Sequence, residues 1–261
     1  METALHNILE RVRAAAADAT PLRLCGGGSK DFHGLALEGT PLELRPLRGI
    51  ISYEPTELVV TARAGTPLQE LQATLAQAGQ ALAFEPPHFA LGDKQPTVGG
   101  MVAAGWSGPA RASSGAVRDF VLGVEIINGR GELLRYGGQV MKNVAGYDVS
   151  RLMAGSWGTL GVITEVSLKV LPVAPAQATL VFAMDEAQAL EALNRWGGQP
   201  LPLNASCWAQ GQLWLRLCGA QAAVQAACQK LGGERLPDDQ AAALWHSLRE
   251  QQHPWFAQRN D

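Results

Sequence analysis

Three glycine-rich stretches carry most of the chemistry this sequence can offer. The first is CGGGS, residues 25–29. Consecutive glycines let backbone N–H groups converge on one concavity, a nest suited to phosphate oxygens. Ser29 and Lys30 add a hydroxyl and a positive charge. The second is PTVGGMVAAGWSGPARASSG, residues 96–115, where Gly99, Gly100, Ala103, Ala104, Gly105, Ser107 and Gly108 leave almost no side chain to pack. Such a run suits backbone that passes close to a flat or anionic ligand. The third is GSWGTLGVITEVSLKV, residues 155–170, with Gly155, Gly158 and Gly161 ahead of an alternating strand pattern. By spacing alone, each stretch also reads as a flexible surface turn. None is a Walker loop or a G-x-G-x-x-G fingerprint.

Titratable groups add little by pattern. The histidines are His6, His33, His88, His246 and His253, and His88 lies in EPPH, upstream of the second glycine-rich stretch. Proton abstraction wants a positioned base, and an Arg suits a carboxylate. No catalytic set of that kind stands out. Lys142, Asn143 and Tyr147 are polar groups in an apolar setting, read first as structural hydrogen-bonding groups. Asp119 after Arg118 reads as a structural carboxylate. Cys25, Cys207, Cys218 and Cys228 form no CxxC pair and have neither zinc nor iron–sulfur spacing, so reduced thiols are expected.

The elements that must position these stretches follow from periodicity. Residues 3–17 read as a helix with Leu5, Ile8, Leu9 and Val12 on one face. A short strand, residues 22–24, feeds the CGGGS loop. ELVVTARAG reads as a strand and TPLQELQATLAQAG as a helix, with Thr66 as N-cap, Pro67 in the first turn, Gln69 completing a capping box and Gly79 ending it. FVLGVEIINGRGELLRYGG reads as a hairpin turning at NGRG. After Pro172, PVAPAQ reads as a linker. A strand (179–184), a helix (186–196), a hairpin around SCWAQGQLWLRL and a helix (221–231) then suggest a small α+β unit. Asp238 is expected to cap a last helix through Leu248. Trp196, Trp208, Trp214 and Trp245 lie in this second part and read as core or interface.

Composition is that of a globular protein: 261 residues, 47% hydrophobic, 17% charged, net charge −3. With no basic stripe, nucleic acid is not expected as a partner. No apolar run reaches the length of a membrane helix and the N-terminus has no signal-peptide core, so a cytoplasmic location is expected, with membrane contact only through a complex.

Taken together, CGGGS, YEPTELVVTARAGTPL, EPPHF, the 96–138 stretch, and VMKNVAGYDVSRLMAGSWGTLGVITEVSLKVLP carry a resemblance to the FAD-binding domain of the vanillyl-alcohol oxidase/p-cresol methylhydroxylase superfamily. Within it, the sequence is similar to the FAD-binding subunits of bacterial glycolate oxidases, with LREQQHPWF as a later match. The resemblance spans essentially the whole chain and is strongest over residues 50–172. It implies an α+β fold: a two-subdomain PCMH-type FAD-binding domain over 1–172, with a phosphate-loop subdomain at about 1–60 and a glycine-rich subdomain at about 61–172. A small, partial α+β cap domain would occupy 173–261.

The resemblance also implies a site. Gly26, Gly27, Gly28 and Ser29 would bind the pyrophosphate. Thr97, Val98, Gly99, Gly100 and Ala103 would line the dinucleotide, with Pro86 nearby and Gly115 closing the loop. Gly158, Gly161, Val162 and Ile163 would lie along the ligand, glycine serving where a Cβ would hold backbone off it. The implied activity is oxidation of glycolate or a similar 2-hydroxy acid. Electrons would leave through partners, a second FAD-containing glycolate oxidase subunit and an iron–sulfur subunit. Two departures qualify this. Some members attach flavin through a His in the phosphate loop; here Ser29 follows the glycines, so non-covalent FAD is expected. Relatives also continue to a C-terminal segment that this chain lacks, so an assembly subunit supporting a catalytic sister chain is the alternative. A UDP-sugar enolpyruvate reductase of the same superfamily is disfavoured by GYDVSRLMAGSWGTLG.

Overall fold

The computed structural model describes residues 2–34, 36, 38–138 and 146–257. By internal contacts the chain divides into two compact units, Met1–Trp106 with Ala116–Pro172, and Ser107–Gly115 with Val173–Asp261.

The first unit opens with α1 (Glu2–Ala17), which buries Ile8 and Val12 on the face its periodicity predicts. Two short strands, β1 (Leu22–Cys25) and β2 (Thr40–Glu43), pair in parallel with Leu24 opposite Leu42. Next in order come β3 (Ile50–Glu54), β4 (Val59–Arg63), α2 (Leu68–Gln77), β5 (Gln80–Ala81) and α3 (Val98–Ala104). Helix α4 (Arg111–Ser114) belongs to the second unit. The first unit resumes with α5 (Val117–Phe120), β6 (Val121–Ile127), β7 (Leu133–Gly137), α6 (Val149–Leu152), β8 (Val162–Lys169) and β9 (Leu171–Pro172). Strands β3-β4-β8-β6-β7 form one antiparallel sheet. The boundary expected near residue 60 falls inside β4, whose two edges are both paired. β3, ahead of that position, belongs to the same sheet.

Helix α2 seats the sheet's core face. Leu68, Leu71 and Leu75 are fully buried at helical spacing, and each such side chain contributes about 1.5–3 kcal/mol. Its start differs from the expected capping box. Pro67 takes the N-cap position and no side chain caps it. The fully buried Thr66 hydroxyl instead accepts the Gly49 N–H at 2.9 Å and donates to the Gly49 carbonyl at 3.2 Å. A buried hydroxyl must be satisfied, and the chain approaching β3 supplies that partner. The NGRG turn forms as expected, with Asn128 Oδ1 accepting the N–H groups of Arg130 and Glu132. Asp119 is structural: its carboxylate accepts the Ala116 N–H at 2.8 Å.

Four charged residues lie in one row across the sheet: Arg63, Glu165, Glu125 and Arg135 are successive cross-strand partners on β4, β8, β6 and β7. Glu125 is buried and accepts from Arg135 Nε at 2.7 Å and Thr164 Oγ1 at 2.8 Å. Glu165 pairs with Arg63 at 2.6 Å. Burial, then the neighbouring Glu125, push the Glu165 carboxyl above its ordinary value, against the pull of Arg63 and Arg135.

The second unit comprises α4, then β10 (Ala176–Ala183), α7 (Glu186–Gly197), β11 (Leu203–Ala209), β12 (Gln212–Gly219), α8 (Gln221–Leu231), β13 (Glu234–Arg235), α9 (Asp238–Arg249) and α10 (Pro254–Ala257). Its sheet order is β11-β12-β10-β13, and its core gathers Leu180, Leu213, Leu215, Leu217 and Trp196. A capping box unread in the sequence starts α7, where Asp185 and Gln188 bond each other's backbone N–H. Asp238 does not cap α9; Pro237 stands at the cap and Asp238 pairs with Arg235 at 3.3 Å. Burial pushes the Cys207 thiol up, away from reactive thiolate. Among the described residues no helix is long and apolar enough to cross a membrane, and no His/Cys/Asp/Glu group could hold a metal.

Candidate functional site

Strand β1 delivers the chain into CGGGS, and the loop after it lies against the segment before α3. The carbonyl of Gly27 accepts the Gln95 N–H at 3.2 Å. A Cβ on Gly27 would sit 1.4 Å from the Gln95 carbonyl oxygen, so only glycine allows this approach. Thr97 then caps α3, its Oγ1 accepting the Gly100 N–H at 3.2 Å. Helix α3 is pinned to β4 by Gly99, whose N–H donates to the Ala64 carbonyl at 2.7 Å and where a Cβ would meet the Ala64 Cβ at 2.6 Å. At its other end, the carbonyls of Val102 and Ala103 accept the N–H groups of Gly155 and Trp157, at 3.0 and 2.9 Å. That pair of bonds sets the GSWG turn beside the helix.

The result is a cavity of about 400 Å³, within the size range of small-molecule sites. Gly26, Gly27, Gly28, Ser29, Thr97, Gly99, Gly100, Ala103, Gly158, Gly161 and Ile163 all line it. The four other expected residues do not. Val98 is fully buried in the main core, and its N–H donates to the Thr66 carbonyl. Val162 packs with Ile8, Val12, Leu42 and Ile127 on the side of α1. Pro86 is buried away from the lining. Gly115 ends α4 and belongs to the second unit. In each valine the side chain points into a core because strand or helix alternation turns its neighbour, not itself, toward the cavity.

Sequence reasoning missed much of the remaining lining: Arg23, Asp31, His33, Glu38, Ala64 and Trp157 among others. Trp157 had a legible signal, since it lies inside GSWG. Its indole stacks on the His33 ring at 4.6 Å with an interplanar angle of 21°. Phe32, Phe89 and Trp106 continue this ring cluster without lining the cavity, and Lys30 Nζ stands 5.6 Å from the Phe89 ring centroid. Trp157 and Phe89 both hold left-handed backbone, φ +52° and +47°, a strained conformation for aromatic residues. His88 does not line the cavity. Tyr147 is exposed, and Lys142 and Asn143 lie outside the described residues.

The donor set suits an anion at the glycine loop. Among the described residues, the amides of Gly27, Gly28 and Ser29 donate to no protein acceptor. The buried Ser29 hydroxyl lies beside them, accepting from Lys30 Nζ at 3.4 Å. The Lys30 ammonium also donates to the Pro87 carbonyl, which holds it at the cavity wall. Converging N–H groups, a hydroxyl and a cation match the acceptor-only oxygens of a diphosphate, and the His33 and Trp157 rings in the lining match a ring system. The residues present therefore fit FAD.

A mixed α+β fold whose cavity is lined in large part by glycine backbone suits a dinucleotide-binding protein. The profile of the FAD binding domain family matches residues 5–137, and the chain belongs to that family; FAD is its cofactor. It is 50% identical over 250 residues to glycolate oxidase subunit GlcE of Escherichia coli K12, covering 96% of this chain and 69% of that one. It is 32% identical over 156 residues to a D-lactate dehydrogenase of Anaerostipes hadrus, covering 60% of this chain and 31% of the enzyme. Among solved structures, an alkyldihydroxyacetonephosphate synthase matches with TM-score 0.71 at 18% identity, over 95% of this chain and 54% of that one. That likeness concerns the fold. The chain thus spans about two thirds of the GlcE relative and about a third to a half of the others.

Proposed function

We propose that this chain is the FAD-binding subunit of a glycolate oxidase-type complex, an oxidoreductase subunit acting on glycolate or a similar 2-hydroxy acid. The observation that carries this is the single cavity in which the CGGGS loop, the PTVGG helix start and the GSWGTLG turn meet. The 50% identity to a glycolate oxidase subunit supports the substrate class. FAD would supply hydride acceptance and the protein position and electrostatics. Gly26 to Ser29 bind the diphosphate, Gly100 and Ala103 face the dinucleotide, and Gly158, Gly161 and Ile163 lie along it. Binding is non-covalent, since Ser29 occupies the position after the glycines. Electrons leave to partner subunits, a second flavoprotein and an iron–sulfur protein, because the four cysteines form no cluster site among the described residues. Any contact with the membrane runs through those partners.

A second reading is a cofactor-holding assembly subunit beside a catalytic sister chain. It is favoured by His33, the imidazole that lines the cavity, being stacked on Trp157. One experiment tests both. The purified chain is examined by absorbance before and after adding FAD, then denatured, and the loaded protein is mixed anaerobically with glycolate. Flavin bands, full release on denaturation and bleaching by glycolate are expected. Bound flavin that glycolate leaves oxidised would select the assembly reading, and a chain that takes up no FAD would remove both.

A further inference from the structure

The cavity holds a cation with no hydrogen-bond or ion-pair partner among the described residues. Arg23 sits on β1, three residues before the glycine loop, and lines the same cavity. Its Nε is buried and has no hydrogen-bond partner, and among the described residues its guanidinium forms no hydrogen bond or ion pair. The two carboxylates in the lining do not engage it: Asp31 pairs with Lys94 at 3.5 Å, and Glu38 is exposed. A buried donor without an acceptor carries a desolvation cost that folding does not recover. A guanidinium is also the side chain best matched to a phosphate, through two parallel N–H···O bonds. The acceptor-hungry amides of Gly27, Gly28 and Ser29 line the same space.

Resting on the FAD reading above, we infer that Arg23 is a charge anchor for the dinucleotide's diphosphate, completing from β1 the contacts that the glycine loop makes through its backbone. Neither the glycine pattern nor the family resemblance points to this residue. Two properties follow. Arg23 contributes to affinity for ligands that carry the diphosphate and not for those that lack it. It also costs the ligand-free protein stability, because its buried nitrogen has no acceptor until the phosphate arrives.

The test uses the full chain as wild type, Arg23→Met and Arg23→Lys. Each is titrated with FAD, ADP, riboflavin and adenosine, and its thermal midpoint is measured without ligand. Arg23→Met is expected to weaken FAD and ADP about 10- to 100-fold, the range for a lost hydrogen bond to a charged group. Riboflavin and adenosine should bind both proteins alike, and the ligand-free midpoint of Arg23→Met should equal or exceed the wild type's. Arg23→Lys, charged but without the fork, should recover part of the loss. Equal FAD and ADP affinity in wild type and Arg23→Met would overturn the role of Arg23 while leaving the cofactor reading intact. The same holds for a lowered ligand-free midpoint with riboflavin weakened as much as FAD, the mark of a structural residue. Wild-type chain that binds neither FAD nor ADP would overturn both.

Discussion

At the scale of single residues, the glycines of this site divide into two kinds that the sequence writes identically. Gly27 and Gly99 are required by the protein itself, because a Cβ at either would strike the Gln95 carbonyl or Ala64. Gly100 is different. Its backbone is helical and the closest protein atom to an added Cβ is Thr97 Oγ1 at 3.1 Å, so the space it leaves open belongs to the cavity. Gly27→Ala should therefore destabilise the fold by about 1–3 kcal/mol through forced backbone shift. Gly100→Ala should change stability by less than about 1 kcal/mol, since the helix gains propensity while Thr97 gives slightly. Both should lose FAD affinity. Urea unfolding and flavin titration of the two variants check this; a Gly100→Ala protein that keeps wild-type affinity would take Gly100 off the ligand. Gly28 is a less clean probe, because φ is +71° and a Cβ would approach Asp31 Oδ2 at 3.1 Å.

At the scale of elements, the row Arg63–Glu165–Glu125–Arg135 ties four strands together, and its protonation has a definite sign. Folded Glu165 holds its proton more tightly than the unfolded chain does. The folded state thus binds the extra proton in the window just above the ordinary carboxylate value. Glu165's favourable contribution is fully present below the unfolded pKa and is lost as pH rises through the raised folded one. Glu165→Gln should remove that slope, so the stability difference between wild type and variant should vary with pH in mild acid and level off near neutrality. Denaturation midpoints across that range measure it; a pH-independent difference would mean Arg63 and Arg135 fully offset burial. Helix α2 offers a plainer test. Leu71→Ala should cost about 2–5 kcal/mol, as for other buried leucines, and because α2 contributes no residue to the cavity, the flavin spectrum of the folded fraction should be unchanged.

For the whole molecule, every residue lining the cavity belongs to the first unit, while Ser107–Gly115 clusters with the second. FAD should therefore add stability where it binds. At ligand 100-fold above Kd, mass action contributes about 2.7 kcal/mol. Hydrogen exchange with and without FAD should show the added protection at β1, the glycine loop, α3 and the start of β8. The sheet of β10 to β13 should be little changed. Protection gained equally in both units would show that the ligand's stabilisation is not confined to the first.

The sequence by itself determined most of the elements and the identity of the loops that line the cavity. Amphipathic spacing marked α1 and α2, alternation marked β8, the NGRG turn marked the β6–β7 hairpin, and runs of glycine marked three segments where backbone must come close to something. It also carried enough of a family's pattern to imply FAD. Only the tertiary structure decided what each glycine comes close to, because a contact such as Gly27 to Gln95 joins positions 68 residues apart and leaves no local signature. Capping was decided the same way. Thr66 has a capping residue's chemistry, yet burial beside Gly49 gave its hydroxyl a different partner. Arg23 shows the limit most clearly. In the chain it is one arginine in a four-residue strand, and its meaning comes from a burial and a missing partner that exist only once the loops have folded around it.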